Sequence, residues 1–79
     1  MKQLTTEAIG DLVKQTRKGL NLTQKDLALT SGTGLRFIIE LEHGKPTCQF
    51  GKVLMVLQIL GIRVVLKPPA SLAPESNVS

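Results

Sequence analysis

Apolar positions along the chain fall into four helical stripes followed by one alternating segment. Ile9, Leu12, Val13 and Thr16 recur at i, i+3, i+4 and i+7, the signature of one helix face. Thr5 or Thr6 can cap that helix, and Glu7 and Asp11 suit its positive end. Arg17 and Lys18 suit its last turn, Gly19 is the predicted stop, and Gly10 weakens the interior slightly. After a short connection around Asn21, Thr23 opens a second helix that runs to about Thr30, with Leu27 and Ala28 inward. Asp26 stands three residues after Thr23, the spacing of a capping box. Ser31-Gly32-Thr33 reads as a tight turn in which Gly32 takes a positive φ. A third helix spans about Gly34 to Glu42, capped by Thr33 or by Gly34, with Ile38, Leu41 and either Phe37 or Leu35 inward. Gly44 and Pro46 end it.

The fourth stripe behaves differently. From Thr47–Gln49 to Leu60, the residues Phe50, Val53, Leu54, Val56, Leu57 and Leu60 leave few polar positions on any side, and Gly61 follows. A helix of this kind must be covered on two faces, one of them by a second subunit. Ile62 to Leu66 then alternates as a strand, with Ile62, Val64 and Leu66 on one face, and Pro68-Pro69 closes it. A strand cannot leave its backbone groups unpaired, and the chain holds no second candidate. The same strand of a second copy, antiparallel across a two-fold axis, is the expected partner. The expected division is an ordered domain over residues 1–67 and a disordered Pro/Ser-rich tail over residues 68–79.

Composition narrows the function. A chain of 79 residues holds one domain with a modest core, which favours dimerisation. Ten Lys and Arg against six Asp and Glu suit an anionic partner such as nucleic acid. The single Cys, Cys48, excludes an intramolecular disulfide, and with His43 as the single His no zinc site within one chain and no cofactor is expected. No catalytic constellation or glycine-rich phosphate loop is present, so an enzyme is not expected. The longest apolar run, Val53 to Leu57, is too short for a bilayer, and the first residues lack a signal pattern. A cytoplasmic setting without membrane contact is the expectation.

The pattern Leu22-Thr-Gln-Lys-Asp-Leu-Ala28, then Gly32, Ile38, Leu41-Glu42 and Gly44-Lys45 is specific. Ala28 is small where two helices cross, Gly32 turns the chain sharply, and Ile38 and Leu41 anchor a helix whose opposite face stays free. The pattern resembles the Cro/C1 (XRE-like) helix-turn-helix family over Leu12 to Ile62. The resemblance implies an all-α, lambda-repressor-like bundle of four helices, with the short C-terminal strand pairing across a dimer. Residues 33 to 47 and that strand resemble the HipB-type antitoxin branch. This implies a repressor of its own operon that binds double-stranded DNA at an inverted repeat and partners a HipA-like kinase toxin.

Carried onto this sequence, the resemblance places base contacts at Leu35, Arg36, Ile39 and Glu40. Arg36 suits guanine through a bidentate guanidinium. Glu40 either accepts from a cytosine amine or restrains Arg36 at i+4. Leu35 or Ile39 meets a thymine methyl, or both belong to a protein-contact patch. Gln24 matches a phosphate-binding position, and Lys25, Thr33, His43 and Lys45 are further phosphate candidates. Lys14 and Lys52 read as surface charge. Arg17 and Glu42 match a structural salt bridge of relatives. Val56, Leu60, Ile62, Val64 and Leu66 are the expected dimer interface. Two alternatives remain, a stand-alone XRE-type regulator and an interaction protein whose main task is toxin neutralisation.

Overall fold

The computed structural model describes residues 4–70. Its helices are α1 (Thr6–Gly19), α2 (Gln24–Ser31), α3 (Leu35–Glu42) and α4 (Phe50–Ile59). Each begins and ends for local reasons. Thr5 caps α1 by accepting from the Ala8 N–H at 3.0 Å. At α2 the capping box is complete: the Asp26 N–H donates to Thr23 Oγ1 at 3.0 Å, and the Thr23 N–H donates to Asp26 Oδ2 at 3.0 Å. The Thr23 backbone N–H, followed by its side chain, holds the Asp26 carboxyl below its ordinary range.

Three helix ends share one closing motif, in which the residue after the cap takes a positive φ and two N–H groups reach back. For α1 that residue is Asn21 (φ 61°) rather than Gly19, which stays helical. The Leu22 N–H returns to the Arg17 carbonyl at 3.1 Å, which turns Leu22 toward the core. The ends of α3 and α4 close the same way through Lys45 N–H to Glu40 O at 3.1 Å and Ile62 N–H to Leu57 O at 2.9 Å. Between α2 and α3 the chain needs two positive-φ positions on either side of Thr33, Gly32 (φ 71°) and Gly34 (φ 97°), the second being the cap of α3. Only glycine takes such a pair without strain, and together they set the angle at which α3 leaves α2.

The core draws on all four helices: Val13, Leu27, Ala28, Ile38, Leu41, Val53, Val56 and Leu57, closed by Leu60. Phe37, rather than Leu35, is the further inward residue of α3, and Leu12 of the α1 stripe is half exposed. α1 and α3 approach so closely at Gly10 that a Cβ there would collide with the Leu41 carbonyl oxygen and come within 3.0 Å of that of Glu42. The glycine that weakens α1 as an isolated helix is thus what lets α3 pack against it.

An ion pair ties three helices at one corner. Arg17 of α1 donates from Nε to Glu42 Oε2 at 2.6 Å and from Nη2 to Oε1 at 3.1 Å. Its Nη1 donates to the Leu22 carbonyl at 2.8 Å, and Gln24 Nε2 at the start of α2 donates to Glu42 Oε1 at 3.1 Å. The two charged side chains retain 9% and 3% exposure. Satisfied on all sides, the pair also sets a cation beside the negative end of α3.

Among the described residues there is no strand: Ile62 to Leu66 carries no ladder, since the partner expected for it is the same segment of a second copy. Two of the residues expected at the dimer interface are corrected. Val56 is fully buried and Leu60 is 7% exposed, so both serve this chain's own core and offer no surface to a partner. Helical periodicity identified α4 as apolar on two faces but did not say which face turns inward. The outward apolar residues are Leu54, Met55 and Ile59, with Phe50 at the helix start. Most of the proposed tail, residues 71–79, lies outside the described residues.

Two outcomes follow. Gly10→Ala lowers unfolding free energy by about 1–3 kcal/mol through overpacking against backbone. The sign is opposite to the ~1 kcal/mol gain expected for Gly to Ala in an open helix; urea titration measures it. Glu42→Ala, which strands a buried guanidinium, costs about 3–5 kcal/mol, and Arg17→Met/Glu42→Leu together cost much less. Equal losses in the single and double variants would contradict this account.

Candidate nucleic-acid interface

α3 has two faces of different character. Ile38 and Leu41 are buried against α1 and α2. On the other side, Leu35 is 44% exposed and the Arg36 side chain 90% exposed, while Ile39 and Glu40 are partly covered. The four residues named for base contact therefore share one side of a short, anchored helix. Glu40 stands between two cations, with Oε1 at 3.2 Å from Lys45 Nζ and Oε2 at 3.8 Å from Arg36 Nε.

The phosphate candidates separate. Lys25 is exposed on α2, beside Leu29 and Leu35 in a groove between α2 and α3. His43 is exposed at the end of α3, with Nδ1 at 2.9 Å from the Ile39 carbonyl. Lys45 follows it and is engaged by Glu40. The Gln24 side chain is held by Glu42, so what α2 presents outward at that point is the backbone N–H of Gln24 and of Lys25, since those of Asp26 and Leu27 donate to the Thr23 hydroxyl and carbonyl. Thr33 is a correction. It is buried, and its hydroxyl lies 2.9 Å from that of Ser31, which itself bonds the Leu27 carbonyl at 2.7 Å. The Thr33 hydroxyl locks the turn and is withdrawn from any external ligand.

Sequence reasoning missed one part of the surface. A trough of about 450 Å³ runs between α3 and the α3–α4 connection, lined by Arg36, Glu40, Thr47, Gln49 and Lys52 among others. Lys52 stands 5.8 Å from the centre of the Phe37 ring. The packing of α4 brings this residue beside α3, and no local pattern announces that. Cys48 also lines the trough. Burial pushes its thiol above the ordinary range, Glu40 adding and Lys45 subtracting, so it stays protonated at neutral pH.

Among the described residues, no group of three or more His, Cys, Asp or Glu could hold a metal ion, and no helix is long and apolar enough to cross a membrane. The surface presented by α3 is thus a projecting helix flanked by cations on both sides: Lys25 toward α2, and Lys45 and Lys52 toward α4.

No protein-family model matches the chain. The chain is 54% identical over 69 residues to the uncharacterized HTH-type transcriptional regulator y4mF of Sinorhizobium fredii (strain NBRC 101917 / NGR234), covering 86% of this chain and 91% of that protein. Its fold is similar to that of a solved HipB–O4 20mer complex, with a TM-score of 0.75 and 20% identity, over 86% of this chain and 96% of the other. With the two helices α2 and α3 set by the Gly32–Gly34 turn, and with a relative this similar across nearly its full length, the chain belongs to the HTH-type transcriptional regulators, and is a regulator rather than an enzyme.

Proposed function

We propose that this protein is a homodimeric repressor that reads an inverted repeat in double-stranded DNA. The observation that carries this reading is the exposed side of α3, where Arg36 projects from a helix anchored by Ile38 and Leu41. A rod so held enters a major groove without reorganising, and Arg36 meets guanine O6 and N7. Leu35 and Ile39 offer apolar contact to thymine methyls. Lys25, His43, Lys45 and the backbone N–H groups of Gln24 and Lys25 take the flanking phosphates, joined by Lys52, Thr47 and Gln49 from the trough.

Dimerisation is supported by what one chain leaves uncovered. Leu54, Met55 and Ile59 line the face of α4 opposite its core side, with exposures of 39, 48 and 44%. Val64, Val65 and Leu66 follow with exposures of 47, 69 and 83%, on a segment with no ladder. A second copy covers both: α4 packs against its equivalent, and Ile62, Val64 and Leu66 pair antiparallel with theirs. The two α3 helices then fall about 34 Å apart, one turn of duplex.

The similarity to the HipB fold supports a finer setting, that of a cytoplasmic antitoxin that represses its own operon and binds a HipA-like kinase. A stand-alone regulator differs from it in one measurable respect: it retains no kinase when isolated from its host.

Selection from random duplexes tests the main reading. Enrichment of an inverted repeat with half-sites one turn apart is the expected result; enrichment of nothing defeats it. Arg36→Ala costs about 1–3 kcal/mol of operator binding and relaxes preference at one position per half-site. Ile59→Asp keeps the protomer folded, because Ile59 lies outside the core, but sediments as a monomer and loses operator affinity at least tenfold.

A further inference from the structure

Glu40 is out of place on a surface otherwise suited to an anion. It is the acidic residue on the outward side of α3, its carboxylate is 35% exposed, and it lies in the trough that holds Arg36 and Lys52. It pairs with Lys45 at 3.2 Å and sets its charge beside Arg36, at 3.8 Å and beyond hydrogen-bond reach. The partners differ in freedom: Lys45 is 45% exposed and Arg36 90%. Stability does not explain the arrangement, since solvent-exposed pairs of this kind contribute little to folding. On a DNA-facing surface, however, one carboxylate does three things. It adds a charge of the same sign as the phosphates, it draws Lys45 away from them, and it presents an acceptor to the bases.

We propose that Glu40 is the specificity-determining residue of this surface, acting by suppressing binding to unselected DNA. This rests on the DNA-binding reading given above. Non-specific affinity comes almost entirely from cations meeting phosphates. While Glu40 pairs with Lys45 and offsets the charge of Arg36 beside it, that contribution is reduced on every sequence alike. At a matching site the carboxylate finds a donor of its own, the N4 amine of a cytosine in the major groove, and Lys45 is released to phosphate while Arg36 meets guanine. A sequence without that donor leaves a desolvated carboxylate among phosphates, so mismatch is penalised rather than merely unrewarded. Arg36 supplies attraction at the matched site, and Glu40 supplies the discrimination against the others.

The test uses the full chain and the isosteric substitution Glu40→Gln, with affinity measured on the selected duplex and on a random-sequence duplex of equal length over a range of salt. The expected result is tighter binding of the variant to the random duplex by about tenfold or more and a steeper salt dependence. The ratio of specific to non-specific affinity falls, and cytosine preference is lost at one position per half-site. Lys45→Met weakens random-duplex binding more in the Glu40→Gln background than in the wild type, because only there is Lys45 free. Unchanged random-duplex affinity, salt slope and selected sequence in Glu40→Gln overturn the proposal while leaving DNA reading intact. A wild-type protein that selects no duplex overturns both. Thermal melting of the variant within a few degrees of wild type separates these outcomes from misfolding, and a variant that fails to fold assigns Glu40 to structure and likewise overturns the proposal.

Discussion

The Arg17–Glu42 pair is the constraint around which the rest of the molecule is arranged. It joins the last turns of α1 and α3, takes in the carbonyl of Leu22, and reaches the first residue of α2 through Gln24. Three helix termini thus meet at charged, directional contacts, whereas the contacts among the core side chains are apolar and carry no direction of their own. Burial makes the pair weak as a source of net stability but demanding as a specification. An arrangement of the helices that separates the two groups leaves a charge in the interior without a partner. In a chain with so small a core, a demand of this kind holds α3 in one orientation.

That orientation gives the outward side of α3 its use. Ile38 and Leu41 face the core, the Gly32–Gly34 turn sets the departure from α2, and Gly10 allows α1 to lie directly against the helix backbone. The buried Ser31 and Thr33 hydroxyls stiffen the turn from within. What remains outside is a short helix with little freedom, carrying Arg36 and Glu40 between cations on both flanks. For the proposed reading of DNA by α3, rigid presentation matters because a helix that must be ordered on contact loses binding energy to that ordering.

The other unresolved demand lies at the far end of the chain. α4 is apolar on opposite faces, and the protomer covers only the face of Val53, Val56, Leu57 and Leu60. The segment after it, from Ile62 to Leu66, turns Ile62 back onto the core and leaves its later residues in solvent. Both features leave apolar surface uncovered in a single protomer, and this is the surface that the proposed two-fold pairing would bury.

Local chemistry was legible in the sequence wherever its cause lies within a few residues. The Thr23–Asp26 box, the Gly32 turn, the inward placement of Leu27, Ala28, Ile38 and Leu41, and the existence of four helices all depend on capping, φ preference and helical period, which a linear sequence carries. The Arg17–Glu42 pair, separated by 25 positions, was visible only through resemblance to relatives. What the tertiary structure alone decided is what depends on which surfaces meet. It turned Val56 and Leu60 inward, withdrew Thr33, tied Gln24 to Glu42, brought Lys52 beside α3, and made Gly10 a necessity instead of a weakness. Periodicity describes a residue relative to its own helix axis. Burial and partnership are set by the rotation of that axis against its neighbours, and that rotation is a property of the packed assembly of helices.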